Sequence, residues 1–97
     1  MITSSDIESL GFSRVPEWDT EVTLAYKYEK NRYDKLRNTI NLYRLDRLVD
    51  TDYMELKSTL QRDMDFNMST YSFNGELETI DELFDLFENF KDLNNKI

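Results

Sequence analysis

The hydrophobic positions change period along the chain, and each period predicts a different element. Near the N-terminus Ile7 and Leu10 fall on one side of a short helical segment. Ser5 is placed to cap it, Glu8 follows at capping-box spacing, and Gly11 stands where a helix-ending glycine stands. From Val22 the period becomes two: Val22, Leu24, Tyr26 and Tyr28 alternate with Thr23, Ala25 and Lys27, which predicts a strand. Pro16, lacking an N–H, puts the segment before it at a sheet edge or a bulge. The polar run Glu29-Lys30-Asn31-Arg32-Tyr33-Asp34 predicts a hairpin loop, and Thr39 to Leu45 a second strand with Ile40 and Leu42 on one face. Tyr53 to Leu60 and Phe66 to Phe73 are further strand candidates, and Asn74-Gly75 predicts a turn after them.

Two segments admit a second reading. Leu36, Ile40 and Tyr43 also stand at helical spacing, as do Tyr53, Leu56, Leu60 and Met64. Residues 33–48 and 53–64 are therefore open between strand and helix. Strands are preferred for the first set because Thr, Ile, Tyr and Asn are mediocre helix formers.

The last segment predicts a helix. Thr79 is its N-cap, Glu82 completes a second capping box, and Ile80, Leu83, Phe84, Phe87 and Phe90 form an apolar stripe. Leu86 and Leu93 widen that stripe. An element so apolar on one side has to cover a sheet, or a sheet plus a partner. The expected fold is α+β, one domain over residues 1–97. A short N-terminal helix, an antiparallel sheet of about three to five strands and an amphipathic C-terminal helix packed on that sheet make it up.

Composition narrows the chemistry. The 97 residues include no Cys and no His, so there is no disulfide, thiolate nucleophile, imidazole base or His/Cys metal site. Only two glycines occur, which excludes the glycine-rich phosphate loops. No apolar run reaches membrane-spanning length, and the first residues lack a basic segment followed by an apolar one. A cytoplasmic, non-enzymatic protein without cofactor or metal is expected. Asp63, Asp65 and Asn67 start like a calcium loop, but Met68 and Asn74 stand where Gly and a bidentate Glu are needed. Asp50, Asp52 and Glu55 form an acidic cluster of the kind that chance supplies in a chain with 20 carboxylates.

Charge adds the most information. The net charge is -8. The first 48 residues balance eight basic against eight acidic side chains, and the rest hold four against twelve. At about 100° per residue, Asp81, Asp85, Glu88 and Asp92 fall in a narrow arc opposite the apolar stripe. Like charges at such spacing cost about 0.2–0.5 kcal/mol per pair, and Glu88 and Asp92 oppose the helix dipole. The arc is either a solvated face that keeps the domain soluble or, with Glu76 and Glu78, a ridge for a basic partner surface. A second patch, Lys27, Lys30, Arg32, Tyr33, Lys35 and Arg37, combines cations and rings as single-strand nucleic-acid binders do. The acidic balance disfavours direct nucleic-acid binding. Trp18, Tyr33 and Tyr43 could be interface anchors or ordinary sheet residues.

The run Phe73-Asn74-Gly75-Glu76-Leu77-Glu78-Thr79-Ile80-Asp81-Glu82-Leu83 resembles the ending of many small bacteriophage-encoded proteins. The opening, Ile2-Thr3 and Asp6-Ile7-Glu8-Ser9-Leu10-Gly11-Phe12, resembles their beginning. The resemblance implies a helix at each end of an antiparallel sheet and no catalytic residues. It also implies host takeover or evasion of bacterial defence, in the manner of anti-CRISPR-like inhibitors. Two function classes lead, ahead of an enzyme using carboxylates alone, which only the abundance of carboxylates supports. One is a binding module that occludes a basic, nucleic-acid-binding surface of a larger host or defence protein. The other is a self-assembling structural or accessory protein, a homo-oligomer in which the basic hairpin of one copy meets the acidic helix of the next.

Overall fold

The computed structural model describes residues 1–34, 37–62 and 66–95, and their side chains except those of 32–34, 37, 38, 62 and 66–69. Helix α1 (Ser4–Ser9) is followed by a two-residue strand β1 (Ser13–Arg14) and a 3-10 turn (Pro16–Trp18). Four long strands come next, β2 (Thr23–Asp34), β3 (Arg37–Leu48), β4 (Tyr53–Arg62) and β5 (Phe66–Glu76), and helix α2 (Ile80–Asn94) closes the fold. The strands form one antiparallel sheet in the order β1-β2-β3-β4-β5. The α+β class and both terminal helices agree with the reading of the sequence, and both open segments are strands over their described residues.

Register decides which face is core. Tyr28 opposes Tyr43, Tyr43 opposes Ser58, and Ser58 opposes Tyr71, so these four share a row on one face. Tyr26, Leu45, Leu56 and Phe73 form the next row. Ile7 from α1 and Leu83, Phe87 and Phe90 from α2 bury against this face. The Phe87 ring lies 4.8–5.2 Å from those of Phe12, Tyr28 and Tyr43, in tilted or edge-on geometry. A bulge at Ser58/Thr59 leaves Thr70 as the extra residue of β5. The buried Ser58 hydroxyl compensates by accepting the Tyr71 N–H at 3.1 Å and hydrogen-bonding the Thr70 hydroxyl.

Several local expectations are corrected. Thr3, not Ser5, caps α1, in a reciprocal box with Asp6. The run Glu29–Asp34 is strand rather than loop, because β2 stays paired with β3 as far as Asp34 and Arg37. Asn74-Gly75 makes no turn: both residues pair inside β5, with Glu55 and Met54. The Gly75 Cα sits close against the Phe73 ring, where a Cβ would come within 3.1 Å. Ile40 and Leu42 share a face as expected, but it is the open one; Asn41, Tyr43, Leu45 and Arg47 are buried instead. Phe84 leaves the apolar stripe and is 45% exposed. Gly11 does end α1: its φ is +103°, and a Cβ there would meet the Tyr28 ring at 2.9 Å.

Candidate functional site

Helix α2 is capped by the Thr79 hydroxyl, which accepts the Glu82 N–H at 3.3 Å. The Glu82 carboxylate reaches one residue further back than a capping box requires and accepts the Glu78 N–H at 3.3 Å. Burial of Leu83, Phe87, Phe90 and Asn94 fixes the roll of the helix. Phe90 packs on Tyr71 of β5, whereas Phe87 and Lys91 sit over Tyr28 of β2. At 100° per residue, Glu88 therefore lies on the flank toward β2, and Leu86 and Leu93 lie on the flank toward β5.

The predicted ridge is present along the outside of α2. Asp81, Asp85 and Asp92 are exposed and make no ion pair among the described residues. They span about 16 Å at a rise of 1.5 Å per residue. Glu88 differs, because its carboxylate is 2.6 Å from the Lys91 ammonium. Lys91 also lies 4.5 Å over the Phe87 ring and places a positive charge in the last turn, where the helix dipole favours one. Glu78 is exposed just before the helix. Glu76 is not brought to the ridge: it opposes Tyr53 in β5, at a register position on the face away from α2.

Strand alternation divides the basic patch. Lys27 belongs to the open face and Lys30 to the helix-covered one. Lys30 lines a small depression of about 150 Å3 with Asn41, Tyr43, Glu88, Lys91 and Asp92, so it stands beside the C-terminal end of the ridge. Arg32, Tyr33 and Arg37 lie in the hairpin strands with side chains outside the described ones, and Lys35 is outside the described residues. Among the proposed anchors, Tyr43 is buried and Trp18 is half-buried, with the Arg44 guanidinium 4.7 Å from its ring.

The open face carries an arrangement that no linear pattern showed. Lys27, Arg44 and Lys57 face one another across β2, β3 and β4, and Asp46 and Glu55 form the next row. Like charges directly opposite are unfavourable. Arg44 and Lys57 are neutralised along their own strands instead, by Asp46 at 2.9 Å and Glu55 at 3.3 Å. Beyond these rows the sheet ends in exposed Val22, Leu48, Val49 and Tyr53.

Titration is shifted mainly by structural contacts. The Arg14 guanidinium and the Ala25 N–H hold the Asp19 carboxyl down to about 2. The Thr3 N–H and hydroxyl lower that of Asp6. Burial raises the Tyr43 hydroxyl. Asn94 Nδ2 donates to that hydroxyl at 3.0 Å, and among the described residues the buried amide oxygens of Asn41 and Asn94 have no partner.

Among the described residues, no group of three or more carboxylates is gathered to hold a metal ion. Asp63 and Asp65 of the calcium-loop match lie outside them. Asp52, from the other acidic cluster, is occupied by the Ile2 N–H at 3.0 Å and by Arg47 at 3.8 Å. No helix among the described residues is long and apolar enough to cross a membrane. Comparison with family models, curated proteins and solved structures finds no match for this chain.

Proposed function

We propose that this protein is a non-enzymatic binding module that lays the outer face of α2 on a basic surface of a larger protein. The observation that carries this reading is the state of the ridge. Asp81, Asp85 and Asp92 are exposed and unpaired among the described residues, on a helix held rigidly by its opposite side. A preset row of charge gains on-rate and selectivity without ordering cost at binding. The ridge offers only negative charge and hydrogen-bond acceptors, so its action is occlusion. Basic surfaces of that extent commonly serve nucleic-acid binding. A nuclease or DNA-binding complex of a bacterial host or its defence system is the target class proposed, with the protein itself phage-encoded and acting in the host cytoplasm.

The test is a pull-down from bacterial lysate at low and high salt, comparing the wild-type chain with D81N/D85N/D92N. Recovery of one nucleic-acid-binding protein by the wild type alone, and at low salt alone, supports the reading. Equal recovery by the variant overturns it.

A further inference from the structure

Asn74-Gly75 carries a chemistry that the fold does not use. Of the asparagines in the chain, Asn74 alone precedes a glycine. Glycine has no side chain to hinder its own backbone nitrogen as that nitrogen approaches the carboxamide before it. The Gly75 nitrogen, once deprotonated, bonds to Cγ of Asn74, and the Cγ–Nδ2 bond breaks. The departing amide takes up a proton from solvent and leaves as ammonia, so a five-membered succinimide ring remains. Water opens that ring at either carbonyl, giving aspartate or isoaspartate. No oxidant, metal or enzyme enters the sequence of steps.

The strand keeps the reacting atoms apart. The Leu77 N–H donates to the Asp52 carbonyl at 3.0 Å. Bonded pairs alternate along an antiparallel ladder, so Gly75 with Met54 is the next bonded pair and the Gly75 N–H points into the sheet toward β4. Its proton is thereby occupied. The extended backbone is a second block. Ring closure requires turning Asn74 about its Cα–C bond, whereas a strand holds ψ at about +135°. The carboxamide itself is not held: Asn74 is exposed, and among the described residues its side chain makes no hydrogen bond. Gly75 is fixed by packing instead, since a Cβ there would come within 3.1 Å of the Phe73 ring. In the sheet β5 is an edge strand with β4 as its neighbour. Releasing the dipeptide therefore requires loss of pairing on one side alone.

We infer that Asn74 is a self-modification site gated by the pairing of β5. While β5 lies on β4 the asparagine is preserved; when β5 leaves β4, Asn74 closes on Gly75 and is converted. Asparagine is not recovered, and the products oppose re-pairing. Either one sets a carboxylate opposite Glu55, in the row that also holds Asp46. Isoaspartate also lengthens the main chain, which shifts the register of β5 against β4 just before the buried Leu77. A chain that has opened is thus marked and kept from returning.

The experiment is incubation of the full chain at mildly alkaline pH, folded in buffer and unfolded in guanidinium chloride. Peptide mapping by mass spectrometry follows aspartate and isoaspartate at every asparagine. Asn74→Gln, whose side chain does not form the five-membered ring, is aged beside the wild type. Position 74 of the unfolded wild type is expected to convert about tenfold or more faster than in the folded chain, because opening of a paired strand is a minor event. It should also convert faster than any other asparagine of the same unfolded chain. On return to buffer, the converted fraction should fail to regain native hydrogen-exchange protection in β5, while equally aged N74Q refolds. Equal rates at position 74 in the folded and unfolded chain, or a rate in denaturant no higher than at the other asparagines, would overturn the inference. Converted chains that refold with native β5 protection would overturn the block on return.

Discussion

The side-chain amide of Asn94, in the last turn of α2, donates a 3.0 Å hydrogen bond to the Tyr43 hydroxyl of β3, and both residues are buried. The bond joins positions 51 residues apart and ties the C-terminal end of the helix to the middle of the sheet. Among the described residues Asn94 Oδ1 has no partner, so the amide depends on this contact. Tyr43→Phe would leave the amide wholly unpaired, and a buried donor without a partner costs about 1–3 kcal/mol. Urea unfolding should show that loss, and adding Asn94→Leu to Y43F should recover part of it. A neutral Y43F would show that the helix end is not held this way.

Phe87 and Phe84 stand three residues apart on α2 and should behave very differently. Phe87 is 1% exposed and touches three rings, whereas Phe84 is 45% exposed. Truncating a buried phenylalanine costs about 3–5 kcal/mol, so Phe87→Ala should bring the chain near unfolding. Phe84→Ala should cost less than about 1 kcal/mol, as surface changes do. Thermal melts of the two variants check this, and equal losses would mean that the helix roll described above is wrong.

The Arg14–Asp19 pair makes a prediction about acid stability. Asp19 Oδ2 lies 2.6 Å from the guanidinium, and Asp19 Oδ1 accepts the Ala25 N–H at 2.7 Å. These contacts lower its folded-state pKa from the ordinary 3.8 to about 2. A lowered carboxyl contributes stability that is complete above its unfolded value and vanishes as pH falls through the folded one. Wild type should therefore exceed Asp19→Asn by a constant margin near neutrality, and the margin should shrink between about pH 4 and pH 2. Denaturant titrations of both proteins across that range measure it. A margin independent of pH would show that the carboxylate charge is not what the site uses.

What was legible beforehand and what was not divides on physical grounds. The period of two in Leu24, Tyr26 and Tyr28, and the capped stripe from Thr79 to Phe90, are local signals, and both elements stand where those signals put them. The misread points are those where tertiary context outweighs local preference. Asn74-Gly75 has turn chemistry, yet pairing with Glu55 and Met54 holds it extended. Glu29–Asp34 is polar enough for a loop, but a strand edge needs charge, and β2 supplies it there. The shared face of Ile40 and Leu42 was legible, but which face of β3 is covered was not. The covering helix selects Tyr43 and Leu45 instead, because a one-residue change of register exchanges the faces. The ridge acids were legible because α2 is regular. The Lys27–Arg44–Lys57 row was not, because it exists only through cross-strand pairing.

The most direct measurement of the central claim is the salt dependence of affinity between the protein and the partner it captures, for wild type and D81N/D85N/D92N. Exposed charges are screened over about 8 Å at physiological ionic strength, so binding through the ridge must weaken as salt rises. Wild-type affinity is expected to fall steeply with salt, and the variant to bind more weakly with an affinity that salt barely changes. Matching affinities and matching salt slopes for the two proteins would contradict it.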